Sequence, residues 1–193
     1  MRLAIGLGNP GPSHALTRHN LGFRVIETLS GRLNIALRAA AGPCLWGKGR
    51  LEPSAAGPDP FEIGLACPTT YMNESGRAVD FLWAKLSLSL NDLLVVCDDI
   101  NLPPGKIRLR RGGSDGGHRG LASVIEWLDS SDFPRLRLGI GAPSEAEDLI
   151  EYVLEEFKPS EQALIDTMIE QAADAVISYF REGIETAMNR FNA

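Results

Sequence analysis

The sequence predicts an α/β protein: a single domain over residues 1–193, on a mixed, mostly parallel twisted sheet with helices on both faces and a long C-terminal helix. Three observations carry this expectation. Short apolar runs alternate along the chain with longer stretches of helical period. Each apolar run feeds a polar loop rich in Gly or Pro, as strand ends do in layered α/β sheets. Residues 160–191 carry one long stripe of apolar side chains at three- and four-residue spacing.

Taken in order, "RLAIGL" (2–7) reads as a buried strand, and a helical pattern follows at 20–33. Residues 40–60 are rich in Gly, Pro and Ala and read as a hairpin with a long loop, in which "CLWGKGRL" (about 43–51) can form an antiparallel strand, and "FEIGLAC" (61–67) reads as a further strand. A helix is expected at 73–87, a buried strand at "LLVVC" (93–97) and a short basic strand at 106–111. Helix 117–128, strand "RLRLGIG" (135–141) and helix 146–155 complete the alternation. The last helix has a start signal at Pro159-Ser160, with Ser160 as N-cap and Glu161 in the first turn. Its stripe from Ile165 to Phe191 predicts packing against the sheet rather than a partner-binding face.

The chain has 193 residues and is 44% apolar, enough for a sizeable core. It shows no membrane-span run and no signal-peptide pattern, and its three cysteines (Cys44, Cys67, Cys97) lack metal-ligand spacing. Free thiols in a reducing cytoplasm are the expectation. The net charge of −6 argues against a nucleic-acid partner until its distribution is read. Residues 101–141 hold seven basic side chains against four acidic, while residues 142–193 hold three against twelve. A basic strip inside an acidic protein can still meet phosphate, because the local field governs contact.

The loops after the predicted strands gather Asn9, His14, His19, Asn20, Asn73, Asp98, Asp99 and His118, which suggests one shared cleft. A neutral imidazole beside a carboxylate is a general-base pair, and His19 with Asp98 can fill those roles. Asn9 and Asn73 can hold a carbonyl substrate and the oxyanion formed when water attacks it. Two local spellings mislead. "GLGNPG" (6–11) matches the dinucleotide fingerprint G-x-G-x-x-G, but Pro10 and Pro12 turn the chain where a helix would have to begin. "GGSDG" (112–116) matches the nucleophile-elbow spelling around Ser114, but the only later histidine is His118, four residues on. Asp98-Asp99 also makes a poor metal site, since neighbours on a strand point to opposite faces. No metal or other cofactor is expected.

Four motifs together, "GLGNPG…TRHNLGF", "PTTYMNESG", "DDINLPPGKIRLRRGGSDGGHRG" and "RLRLGIGAP", resemble the bacterial-type peptidyl-tRNA hydrolase family, in order and over essentially the whole chain. The resemblance implies cleavage of the ester between a peptide and the terminal ribose of tRNA by a metal-free, cytoplasmic, monomeric enzyme. By it, His19 in "TRHN" is the catalytic base and Asp98 its partner, while Asn9 and Asn73 hold substrate. Met72 falls in the peptide channel, and Arg108, Arg110 and Arg137 fall where tRNA phosphates are met. Three positions depart from the family's commonest pattern. Arg119 in "GGHRG" replaces an asparagine that contacts substrate, His14 stands for a tyrosine, and Ala146 lies near a lysine that pairs with the equivalent of Arg137. None touches His19 or Asp98. Two alternatives of another kind are a non-catalytic RNA-binding protein on the same scaffold and a serine esterase using Ser114.

Overall fold

In the computed structural model, which describes residues 1–39, 41–52, 60–143 and 148–192, the strands form one seven-stranded sheet. They are β1 (Arg2–Gly6), β2 (Arg38–Ala39), β3 (Cys44–Leu51), β4 (Phe61–Pro68), β5 (Leu93–Asp99), β6 (Ile107–Arg110) and β7 (Arg135–Gly139). The order is β2-β3-β4-β1-β5-β7-β6. The four central strands are parallel, and β3 and β6 pair antiparallel to β4 and β7. The sheet is therefore mixed and mostly parallel at its centre, as expected. Asp98 and Asp99 lie within β5, two residues beyond the apolar run, because their backbones still pair with β7.

Alternation along the strands divides the core. Ala4, Leu94, Val96, Leu136 and Leu138 face helices α1 (Leu21–Leu33), α5 (Gln162–Glu182) and α6 (Ile184–Phe191). Leu3, Ile5, Leu93, Val95 and Cys97 face α2 (Ser75–Lys85) and α3 (Arg119–Leu128). A shift of one residue in any central strand would exchange these sets, so burial on both faces fixes the register. A shorter helix, α4 (Leu149–Leu154), stands beyond β7. Among the described residues, no helix is long and apolar enough to cross a membrane.

Two details of the last helix differ from expectation. Residues 160–191 form two helices, because Gly183 sits at φ 85° and breaks the ladder between α5 and α6. The N-cap is Glu161 rather than Ser160, and its carboxylate accepts a hydrogen bond from the Lys158 backbone N–H at 2.8 Å. The stripe itself packs on the sheet: Ile165, Met168, Ala172, Val176 and Phe180 are all essentially inaccessible.

The glycines that open the chain are packing glycines. A Cβ on Gly6 would stand 2.1 Å from the Gly22 carbonyl oxygen, and one on Gly8 would enter the Phe23 ring. They let α1 lie directly against the end of β1. The loop after them runs into a 3-10 turn at Pro12–His14, and the first α-helix begins only at Leu21. The geometry of a dinucleotide loop, with a helix N-terminus aimed at a pyrophosphate, is absent there.

Candidate active site

β1 and β5 end side by side, and the turn before α1 crosses above them. That turn, a 3-10 segment at Arg18–Asn20, delivers His19 over the end of β5. His19 Nδ1 donates to Asp98 Oδ1 at 2.8 Å, and both residues are buried. A second imidazole reaches the same oxygen: His118 Nε2 lies 3.0 Å from Asp98 Oδ1. His118 is the N-cap of α3, and its Nδ1 accepts the backbone N–H groups of Gly120 and Leu121 at 3.1 and 3.2 Å. An imidazole nitrogen that accepts carries no proton, so the hydrogen of His118 sits on Nε2 and points at Asp98. His118 is thereby fixed as a neutral donor. The two rings lie 4.8 Å apart and tilted by 47°.

Burial opposes ionisation of Asp98, but the His19 and then the His118 imidazole outweigh it and hold the carboxyl well below the usual carboxylate range. An ionised Asp98 in turn holds the His19 hydrogen on Nδ1. His19 Nε2 is then the unprotonated nitrogen, and His19 lines the cavity described next. Donor atoms of His19, Asp98 and His118 all fall within 4.8 Å of one another, a spacing a metal ion could use. In this arrangement the two nitrogens facing Asp98 are bonded to its Oδ1.

The cavity encloses about 430 Å³. His19, Asp98, His118, Asn9 and Asn73 line it, with Met72, Arg119 and Arg137. Asn9 is locked in place. Its backbone N–H donates to Asn20 Oδ1 at 2.8 Å, and Asn20 Nδ2 donates back to the Asn9 carbonyl at 2.9 Å. Asn9 Oδ1 accepts the Met72 backbone N–H at 2.8 Å, which assigns the amide orientation and leaves Nδ2 as the donor to offer. Asn73, beside buried Met72 in a 3-10 turn, is exposed. Leu149, Ile150, Val153 and Leu154 of α4 supply an apolar wall.

The basic strip is also assembled, in a graded way. Arg108 stands opposite Arg137 in the β6–β7 register and Arg110 opposite Arg135, so the four share one face of the sheet. Arg137 alone of these lines the cavity, with Nε 2.8 Å from Asp99 Oδ2 in an ion pair. Arg135 is buried and turned to structure, donating to the carbonyls of Gly113, Ser114 and Ser131. Arg119 is exposed on the cavity rim at the first residue of α3.

Of the residues singled out in the sequence, His14 is not brought to the cavity. It closes its own turn, with Nδ1 3.1 Å from the Pro10 carbonyl oxygen. Ser114 is exposed and does not line the cavity. Ala146 lies outside the described residues. Conversely, His118, Asn20 and Asp99, to which neither the sequence nor the resemblance assigns a part in the reaction, hold Asp98, Asn9 and Arg137 in place. The signal for His118 was present: a polar residue followed at once by an apolar helical period occupies an N-cap position. All three thiols are buried: burial pushes Cys44 up to about 11 and Cys67 and Cys97 higher still, which leaves Cys97 beside Asp98 an inert core residue.

Comparison with known proteins identifies the family. The family model described as peptidyl-tRNA hydrolase matches residues 3–193. The chain is 47% identical to the peptidyl-tRNA hydrolase of Desulforudis audaxviator, over 100% of this chain and 94% of the relative. It is 47% identical to that of Salinibacter ruber, over 98% and 97%. The crystal structure of peptidyl-tRNA hydrolase from Acinetobacter baumannii superposes with a TM-score of 0.91 at 34% identity, covering 100% of this chain and 95% of that one. A 5′-methylthioadenosine nucleosidase from Arabidopsis thaliana shares the fold alone, with a TM-score of 0.51 at 9% identity over 93% and 96% of the two chains. The sheet is thus common to unrelated chemistry, and it is the site that separates them. On matched sequence and matched fold over the whole chain, the chain belongs to the peptidyl-tRNA hydrolase family.

Proposed function

We propose that this protein hydrolyses the ester between the peptide C-terminus and the 3′-terminal ribose of tRNA, by direct attack of a water activated at His19. The observation that carries the reading is the His19 Nδ1–Asp98 contact of 2.8 Å, which leaves Nε2 free to accept a proton. In the first step a water gives a proton to His19 Nε2 as its oxygen bonds to the ester carbonyl carbon. The carbonyl becomes an oxyanion, and the Asn9 Nδ2 and Asn73 amide groups donate to it. The imidazolium is paired with the Asp98 carboxylate. In the second step the carbon–oxygen bond to ribose breaks, the ribose oxygen takes the proton from His19 Nε2, and the peptide leaves as a carboxylic acid. His118, neutral and fixed, keeps Asp98 oriented without competing for the proton.

The tRNA lies, on this reading, along Arg108, Arg110 and Arg137, with phosphate contacts rather than base contacts. The apolar wall of α4 faces the peptide together with Met72. Arg119 on the rim either grips the substrate backbone or adds to the phosphate contacts. We read the protein further as a cytoplasmic monomer that works without a metal, as the family resemblance implies, and its three free, buried thiols suit a reducing compartment. The deciding experiment is single-turnover release of peptide from an N-blocked aminoacyl-tRNA by wild type and His19→Ala. Near-normal release by the variant with unchanged tRNA binding would assign the base elsewhere.

A further inference from the structure

Arg18 directly precedes His19, and neither it nor any of its partners lines the cavity. Its side chain is only 3% exposed. The guanidinium carbon stacks 4.4 Å above the Tyr152 ring of α4 and 5.2 Å from the Phe157 ring that follows the helix. Arg18 Nη1 donates to the Tyr152 carbonyl at 3.4 Å and to Glu155 Oε2 at 3.3 Å, and Nη2 is paired with Glu161 at 3.6 Å. The backbone joins the same contact: Arg18 N–H donates to the Glu155 carbonyl at 2.9 Å, and Thr17 bridges to Glu156. On the far side, Tyr152 Oη donates to the Ile140 carbonyl at 2.6 Å, just beyond β7.

A buried guanidinium costs desolvation that its pairs repay only in good geometry, so such a group is weak support for stability as such. Its planar fork and stacking face do fix the direction of everything they touch. Here they touch two things the reaction needs: the turn that carries His19 and the helix that walls the cavity. We propose that Arg18 is a positioning residue for the hydrolysis, setting α4 and the His19 turn in one rigid relation through Tyr152, Phe157 and Glu155. The proposal rests on the reading of His19 as the base. The apolar wall that holds the peptide and the nitrogen that activates water are then adjusted together, although Arg18 meets neither substrate nor water.

The test uses the full chain with N-blocked aminoacyl-tRNA, with rates expressed per folded molecule. Arg18→Met keeps an unbranched apolar stem but loses the charge and the fork, and its kcat should fall about a hundredfold, the scale of an ångström misplacement at a reacting centre. Arg18→Lys restores charge without the plane and should recover roughly tenfold of that loss. Tyr152→Leu, which keeps Arg18, should lower kcat in the same sense, and the double variant should be no slower than about the slower single one. Backbone hydrogen exchange across residues 149–154 should quicken in all of them. A kcat for Arg18→Met within about threefold of wild type, or additive losses in the double variant, would overturn the coupling. If Arg18→Met does not fold, Tyr152→Leu decides alone: unchanged kcat with faster exchange in α4 overturns the proposal. His19→Ala run in parallel separates the two readings. Normal turnover there removes the base assignment, whereas the Arg18–Tyr152 coupling is read from the other variants.

Discussion

The cleft has an inner and an outer zone, and they are built on opposite principles. Around Asp98, polar groups are spoken for: His19 and His118 share one carboxylate oxygen, His118 caps α3, and Asn9 is clamped by Asn20 and Met72. On the outer strip, Arg108 and Arg110 have no carboxylate partner among the described residues, and Arg137 keeps one ion pair at the cavity edge. A proton transfer needs atoms held to fractions of an ångström, so the inner zone commits its hydrogen bonds before substrate arrives. Phosphate binding, the role proposed for the outer zone, needs charge within reach of a mobile polyanion, and Arg108 and Arg110 meet that need with no carboxylate partner among the described residues. Mutations should therefore separate the zones: inner changes read out in rate, outer ones in affinity and salt dependence.

The largest effect should come from His19→Ala, which removes the proposed base while leaving the outer strip intact. Single-turnover hydrolysis should slow by roughly two to four orders of magnitude, the range of general-base catalysis. Binding of tRNA, measured separately, should be unchanged. A variant that lost binding in the same proportion would mean the zones are not separate.

Asp98→Asn is a finer probe. Both imidazoles contact Oδ1 of Asp98, so an asparagine oxygen in that place can accept from both and keep the geometry. What it cannot supply is the charge that stabilises the imidazolium. Charge-assisted hydrogen bonds exceed neutral ones by about 1 to 2 kcal/mol, so kcat should fall roughly fivefold to thirtyfold. Stability carries a matching signature. The folded carboxyl is held below its unfolded value by the His19 and His118 imidazoles acting against burial. The ionised form therefore contributes stability that is fully present above about pH 4 and is lost as the pH falls below it. In acid denaturation, wild type should lose its advantage over Asp98→Asn across that interval. A constant difference down to pH 2 would mean that the carboxylate is not the stabilising form.

The outer strip predicts a smaller and different change. Each phosphate neutralised contributes about −0.7 to −0.9 to the slope of log affinity against log salt. Replacing Arg108, Arg110 and Arg137 together by alanine should flatten that slope by about two units or more. Cleavage of a short ester mimic that lacks tRNA should continue at nearly the wild-type rate. Arg137→Ala alone also frees Asp99, whose charge then faces the cavity, so its loss of affinity should exceed that of Arg108→Ala. Arg119→Asn sorts the rim residue: weaker tRNA binding assigns it to the strip, and altered turnover to the inner zone. An unchanged salt slope in the triple variant would refute the strip.

How much of this could be read from residues alone follows the same division. Strand and helix periods located the sheet, and strand-end polarity located His19, Asp98, Asn9 and Asn73, because each lies at or near the end of a strongly patterned element. The strip was legible too, since alternation of Arg108 and Arg110 with Ile107 and Leu109 is local. Partnerships across the chain were not. That His118 shares Asp98 with His19 depends on how α3 docks beside β5, and no spacing encodes it. Arg135 and Arg137 look alike in "RLRLG", yet one is buried and donates to four backbone carbonyls and the other opens into the cavity. The break at Gly183 was hidden inside an apolar period that runs through it, so the helix appeared whole. His14, one of the positions that departs from the resemblance, falls on its own 3-10 turn, which Pro12 begins and the Pro10 carbonyl closes.

The smallest effect belongs to Ser114, and it tests the inner zone by exclusion. Its "GGSDG" setting between a strand and a helix imitates a nucleophile elbow, so an active serine would need a base at hydrogen-bond distance. Neither cleft imidazole is available to it. His118 spends both nitrogens, one on Asp98 and one on the α3 backbone, and His19 spends Nδ1 on Asp98 with Nε2 at the cavity. The remaining histidine, His14, bonds within its own loop. Ser114 itself is exposed, off the cavity, with its carbonyl held at 3.1 Å by Arg135. Ser114→Ala should therefore keep activity within about tenfold, since an idle hydroxyl contributes nothing to the general-base step. Organophosphonate treatment should leave the mass of the enzyme unchanged. A covalent adduct at Ser114 with parallel loss of turnover would mean that the serine finds a base this geometry does not offer, and the direct-water mechanism would fall with it.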